Sequence, residues 1–156
     1  MTTPYYKYTP GEFAHLRPAV CVLIRHPDTG SRRHLMIQRA KDDVGGGFWT
    51  PVTGSCDDGE PQELAVVREV LEETGLQVRP LRRLWECPNS FRTHVLHWWL
   101  AEPTAAAIAD ELRVTPQPGE VDDFRWCTLA DALQLTPMFE DTQYFFEQFG
   151  TQLHDD

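Results

Sequence analysis

Positive charge is scarce in this chain. Fourteen lysines and arginines stand against 24 aspartates and glutamates, a net charge of -10 over 156 residues. A surface of that sign repels DNA and RNA and excludes bulk binding to a nucleic acid polymer as the function. It also repels a phosphorylated small molecule, unless divalent cations stand between protein and substrate. No apolar run approaches the ~20 residues of a membrane span. The opening "MTTPYYKYTPGEF" has no basic segment followed by an apolar one, so no signal peptide is expected, and the expected location is cytoplasmic. The cysteines, Cys21, Cys56, Cys87 and Cys127, form no CxxC pair and imply free, mostly buried thiols. His94 and His97 stand three apart without a cysteine pair or an HExxH, which argues against zinc. There is no internal repeat, low-complexity tract or linker.

What is present suits one domain over residues 1–156. Its 41% hydrophobic and 24% charged residues are an ordinary globular balance, at a length that allows a real core. Residues 1–16 are aperiodic and read as an N-terminal arm. "PAVCVLIR" (Pro18 to Arg25) reads as a buried strand. "HPDTGSRR" has turn chemistry and is expected to close a hairpin onto a second strand, "HLMIQRA". "KDDVGGG" is a flexible loop. Its glycines precede no helix, so it is not a phosphate-binding P-loop and reads as a lid or hinge. "FWTPV" is extended and leads into the acidic loop "TGSCDDGE". "LQVRPLRRLWEC" and "RTHVLHWWLAE" are further strands, "FRWCTLADALQL" a strand and short helix, and "MFEDTQYFFEQFG" a last helix ending at Gly150. Strands on both sides of a central helix imply an α/β sandwich with a mixed sheet.

That central helix is expected to begin near Pro61, a residue favoured at the first helical position, and to end at Gly75, a C-cap glycine. At ~100° per residue with Glu69 at zero, Glu73 falls at roughly +40° and Glu72 at roughly -60°. Leu64, Val67 and Leu71 cluster at the opposite pole and are expected to face the core. Arg68, at roughly -100°, is placed to pair with a glutamate, and Glu60 is a candidate partner. A solvated acidic face is the simplest account of such a cluster. Against it, like charges four residues apart repel by a few tenths of a kcal/mol, with no lysine at the relieving position. Three carboxylates on one face suit Mg²⁺ or Mn²⁺, which takes carboxylate, water and phosphate oxygens.

The spacing then carries a family resemblance. Gly54, Glu60, Arg68, Glu69, Val70, Glu72, Glu73, Gly75 and Leu76 fit G-x5-E-x7-R-E-U-x-E-E-x-G-U, with U a large aliphatic residue. At ~7% usage per fixed residue, chance agreement is on the order of 10⁻⁸ per start position. This is similar to the Nudix box of MutT-like hydrolases, and the order of strands around it also resembles that family. The resemblance implies a Nudix α/β/α sandwich and hydrolysis of a diphosphate linkage with Mg²⁺ or Mn²⁺. It implies Glu69, Glu72 and Glu73 as metal ligands, with Arg68 and Glu60 bracing the helix and loop. It also puts the carbonyl of Thr53 within reach of a metal and makes Gly54 and Gly59 the residues that let the loop turn. The expected chemistry is charge neutralisation by the ions and attack by water, whose proton passes to a carboxylate. The base is Glu69 or a glutamate outside the box. The outside candidate is Glu120 in "PGEVDDFRW", also a candidate metal ligand, with Asp122 and Asp123 as competitors.

Within the family, the run "LMIQRA…FWTPVTGSCDDGE" resembles bacterial dihydroneopterin triphosphate diphosphatases, which implies substrate contacts from Arg39 and Thr53. Two positions depart from that subgroup: Leu16 replaces a basic residue and Asp141 a small polar one. A nucleoside triphosphate or another nucleoside diphosphate derivative is the rival substrate, and a non-catalytic Nudix ligand sensor is the alternative from a different class. Trp49, Trp98 and Trp99 are open to either role, ring stacking or core packing. The partner is a phosphorylated small molecule. Oligomeric state is not readable.

Overall fold

The computed structural model describes residues 11–154, so most of the arm read over residues 1–16 lies outside the described residues. The first strand, β1 (Arg17–Ile24), runs through the centre of a four-stranded mixed sheet. It pairs antiparallel with β4 (Val52–Ser55) and parallel with β6 (His94–Pro103), and β6 pairs antiparallel with β5 (Val78–Pro88). A second, antiparallel sheet sets β2 (His34–Arg39) between β3 (Trp49–Thr50) and β7 (Val121–Cys127). The described residues add four helices, α1 (Gln62–Thr74), α2 (Ala105–Ala109), α3 (Leu129–Ala132) and α4 (Glu140–Phe149), with a last 3₁₀ turn over Gly150–His154. This is an α/β fold with a mixed sheet. No helix among the described residues is long and apolar enough to cross a membrane.

The unbroken apolar run of β1 follows from its position, because both of its faces are covered. Ala19, Cys21 and Leu23 point into one core with Trp98, Leu100 and Phe145. Val20, Val22 and Ile24 point into the other with Val66, Val70 and Ile37. α4 closes the first face, where the Phe145 ring lies on the Trp98 ring at 4.2 Å and 12°. α1 closes the second. Trp49, Trp98 and Trp99 are all buried in these cores, so core packing is their role.

Two expectations need correction. β1 and β2 do not form a hairpin: they belong to different sheets, pack through side chains, and are joined in backbone by the isolated bridge of Arg25 with His34. The helix does start near Pro61, which is its N-cap with ψ 144°, and Gln62 is the first helical residue. Larger in consequence, α1 is rotated from the expected orientation. Leu64 is 59% exposed and Leu71 47%, while Ala65, Val66, Val70 and Glu73 are buried. On the same wheel these buried residues span roughly -40° to +100° and contain Glu73. The carboxylates therefore border the packed face. Small Ala65 and β-branched Val66 and Val70 allow close approach to the sheet, which the longer leucines would prevent. Gly75 ends the helix in the left-handed region at φ 75°, its amide donating to the Leu71 carbonyl.

Candidate active site

A cavity of about 820 Å³ opens above the ends of β1 and β4. α1 contributes Glu69, Glu72 and Glu73; the loop before β3 contributes Asp43 and Val44; and Glu120 stands just ahead of β7. The Asn89–His94 turn and the start of α4, with Phe139, Asp141 and Thr142, also line it. Arg39 and Thr53 also line it. The cavity thus brings together Arg39, Thr53, Glu69, Glu72, Glu73 and Glu120. Glu60 and Arg68 stand outside its lining and act on it through contacts.

Arg68 organises the acidic side. Its Nε and Nη2 donate to the two Glu60 oxygens, each at 2.8 Å, and Nη2 also donates to the Ser55 carbonyl at 3.0 Å. Its Nη1 donates to Glu69 at 2.9 Å and to Glu72 at 3.3 Å. Glu60 in turn accepts the Asp57 amide at 3.0 Å. This planar, two-pronged ion pair ties the loop after β4 to α1. The Arg68 guanidinium holds the Glu60 carboxyl down to about 2.

Glu73 is in the opposite situation. It is buried, and its Oε2 has no hydrogen-bond partner among the described residues. Burial, with Glu69 next, pushes its pKa to about 8, against the partial relief of Arg39. Burial also raises Glu69, opposed by Arg68, and raises Glu120, with Asp43 adding to it. Gly54 sits beneath this group, and a Cβ there would overlap the Glu69 carboxyl. Any side chain at that point of β4 would displace the Glu69 carboxyl from its present position.

This arrangement fits a divalent cation. It offers hard oxygen donors, an orphaned buried carboxylate oxygen and a set of like charges that destabilise one another. As they stand, however, no three His, Cys, Asp or Glu side chains among the described residues are gathered closely enough to hold an ion. Arg68 bonds Glu69 and Glu72, and its guanidinium does not reach Glu73.

Several lining residues escaped the sequence reading. Asp43 accepts Arg39 Nη2 at 3.1 Å, and the Val44 carbonyl accepts Arg39 Nε at 2.6 Å, so the loop holds the arginine at the cavity edge. The "GGG" run serves that loop: Gly45 and Gly47 have φ of 70° and 83°, and a Cβ on Gly45 would meet the Phe139 ring at 2.6 Å. Phe139 stacks on Phe48 at 4.5 Å and meets Phe91 edge-on at 5.9 Å. Isolated aromatics in loops carry no periodic signal, so only the folded chain shows that they meet.

Comparison with known proteins agrees with this architecture. Residues 15–149 match the model of the NUDIX domain. The NAD-capped RNA hydrolase NudC of Deinococcus radiodurans is 32% identical over 129 residues, covering 81% of this chain and 42% of that protein. The NudC of Photobacterium profundum is 27% identical over 126 residues, covering 81% and 43%. The chain therefore spans about two fifths of the length of these curated relatives. Among solved structures, a MutT protein from Methanosarcina mazei superposes with a TM-score of 0.70 at 20% identity, covering 88% of this chain and 94% of that one. The NUDIX domain of Shewanella oneidensis NrtR, complexed with ADP ribose, gives 0.66 at 22% identity and 95% coverage of both chains. With the domain model matched from residue 15 to residue 149, the chain belongs to the Nudix hydrolase family.

Proposed function

We propose that this protein hydrolyses a diphosphate linkage in a nucleotide derivative with the help of Mg²⁺ or Mn²⁺. The observation that carries the reading is Glu73, a buried carboxylate with an unpartnered oxygen beside two other cavity carboxylates. Glu69, Glu72, Glu73 and Glu120 would hold the metal. Bound there, a divalent ion supplies charge neutralisation at the diphosphate and makes a nearby water more acidic. Arg68 and Glu60 brace the acidic side, and Arg39 meets phosphate oxygens at the cavity edge. The proton of the attacking water goes to Glu69 or Glu120. Both are pushed toward higher proton affinity, which suits a base working near neutral pH.

For the substrate, the names of the relatives favour the rival reading over dihydroneopterin triphosphate. NAD-capped RNA and ADP ribose both join a nucleoside to another group through a diphosphate. The net charge of -10 speaks for a small molecule over a polymer. Dihydroneopterin triphosphate stays as a second reading, because Thr53 of the "VTGS" run lines the cavity. Pyrophosphate, phosphate and nucleotide release from a panel of nucleoside triphosphates, dinucleotides, nucleotide sugars and dihydroneopterin triphosphate tests the proposal. Metal-dependent turnover of at least one member is expected, abolished in Glu72→Gln. In Glu120→Gln kcat should fall much more than KM rises. Tight binding of one member with no turnover of any would make the protein a ligand sensor.

A further inference from the structure

β4 carries side-chain positions on both faces of its sheet, and the cavity reaches both. Gly54 faces α1, where a Cβ on it would meet the Glu69 carboxyl. By strand alternation Thr53 and Ser55 face the other way. Their cross-strand neighbours are Cys21 and Ala19, which belong to the core that α4 closes. Ala19, Cys21, Thr53, Ser55, His94 and Leu96 line the cavity on that face. There Ser55 Oγ lies 3.0 Å from His94 Nε2. The contact spans β1, since Ser55 stands on β4 and His94 on β6. It passes Ala19, the register partner of Ser55, whose small side chain leaves space for it. His94 is fixed from behind. Thr93 Oγ1 lies 2.8 Å from its Nδ1 and accepts Asn89 Nδ2 at 3.0 Å. Asn89 Oδ1 accepts the Thr93 and His94 amides at 2.9 and 3.0 Å.

We propose that Ser55, braced by His94, reads a hydroxyl on the carbon chain that joins the phosphate of the substrate to its ring. This rests on the reading that the substrate binds with its diphosphate at the glutamates. A serine hydroxyl offers one donor and two acceptor sites. His94 takes up one of the three, whichever ring nitrogen carries the proton. A ligand hydroxyl, which gives and takes, matches what remains with either tautomer. A phosphate oxygen, an acceptor only, matches it with one. The other side chains of this face compete little. Ala19 and Leu96 are apolar, and Thr53 Oγ1 is turned to the Pro51 carbonyl at 3.0 Å. The position of Ser55 agrees with the assignment. It follows Gly54 by one Cα step of about 3.8 Å, so its hydroxyl and the Glu69 carboxylate lie within ~10 Å across β4. The hydroxyl-bearing carbons of a nucleotide come directly after its phosphate and fall at similar range. Ribose and the side chain of dihydroneopterin both carry neighbouring hydroxyls there, so both substrate readings present the group.

The test is calorimetric binding of monophosphates, which hold no diphosphate to cleave, to the full chain with Mg²⁺ present. Adenosine monophosphate is compared with its 2′,3′-dideoxy analogue, and neopterin monophosphate with 6-hydroxymethylpterin phosphate. In at least one pair the member with neighbouring hydroxyls should bind at least ~10-fold more tightly. In Ser55→Ala that preference should shrink to within ~3-fold, while the member without them binds as before. Arg68 meets residue 55 at its backbone carbonyl, so the substitution leaves the acidic side in place. The pair that shows the loss identifies the source of the hydroxyl. Equal binding within both pairs, no measurable binding of any member, or an unchanged preference in Ser55→Ala overturns the proposal. If Ser55→Ala does not fold, the wild-type pairs and Ser55→Cys decide on the same terms. Turnover without preference for the hydroxylated members of either series would sink this inference and leave the hydrolase intact. Hydroxyl-dependent binding with no turnover of any compound would do the reverse.

Discussion

α1 and α4 cover opposite faces of the same sheet and do so on different terms. α4 buries Asp141 and Thr142 in its first turn, at the cavity, and beyond it Phe145 and Phe146, with Phe145 stacked on Trp98. α1 buries Ala65, Val66 and Val70 together with Glu73, and leaves Leu64 and Leu71 in solvent. By burial alone α1 should turn its leucines inward, which would expel the glutamate. Its actual rotation keeps a carboxylate buried, where charge is penalised and its pKa is pushed up to about 8. On one face, past the first turn of α4, the packing is arranged for stability. On the other, local preference is overridden, as expected where a site is built.

The sharpest break of this comparison is Glu73→Gln. The amide keeps the shape and removes the buried charge. Turnover should fall by on the order of 10²–10³-fold, the scale of losing one group that stabilises charge at a reacting centre. The metal-free melting temperature should hold or rise. Normal turnover with a lower melting temperature would invert the assignment of the two helices. Phe145→Ala is the counterpart on the other face. Emptying that site should cost about 3–5 kcal/mol in urea unfolding. The kcat of the protein still folded at low temperature should stay within ~3-fold of wild type, well short of a catalytic loss. A catalytic collapse matching that of Glu73→Gln would show that α4 is part of the chemistry.

How far the two helices are legible in the sequence differs for the same reason. The loop and α1 can be placed from Gly54 to Leu76, because fixed spacings, a terminal proline and a C-cap glycine are local signals. The rotation of α1 is not readable. Leu64, Val67 and Leu71 form one apolar arc and Ala65, Val66 and Val70 another, and periodicity does not rank them. The choice is made by how closely each arc lets the helix approach Val20 and Val22. The β1–β2 hairpin fails similarly: turn chemistry at "HPDTGSRR" is real, yet the sheet that each strand joins is a long-range matter. Asp43, Phe91 and Phe139 lie in loops whose meeting at the cavity leaves no pattern in the chain.

A smaller effect sharpens the contrast between paired and unpaired carboxylates. Glu60 is held at about 2 by Arg68, below its ordinary value of 4.5. Its ion pair therefore adds stability above pH ~4.5, and that contribution is lost as pH falls toward 2. In metal-free protein, Glu60→Gln should melt a few degrees below wild type at pH 7, with the gap closing as pH falls from 4.5 to 2. A gap independent of pH would mean that the residue acts through packing rather than charge.

The smallest expected effect tests the rotation of α1 itself. With Leu64 59% and Leu71 47% exposed, Leu64→Lys and Leu71→Lys each place a cation in solvent. Each should change stability by under ~0.5 kcal/mol, as surface substitutions usually do. Were α1 turned so that Leu64, Val67 and Leu71 met the sheet, the same lysines would enter an apolar core without a partner. The loss would then be several-fold larger. Urea titration of the two variants separates the two rotations without reference to activity, metal or substrate. Near-wild-type midpoints place the glutamates on the packed side of the helix, where a buried carboxylate can wait for a cation. A large loss in both would return those glutamates to the solvated face of an ordinary amphipathic helix.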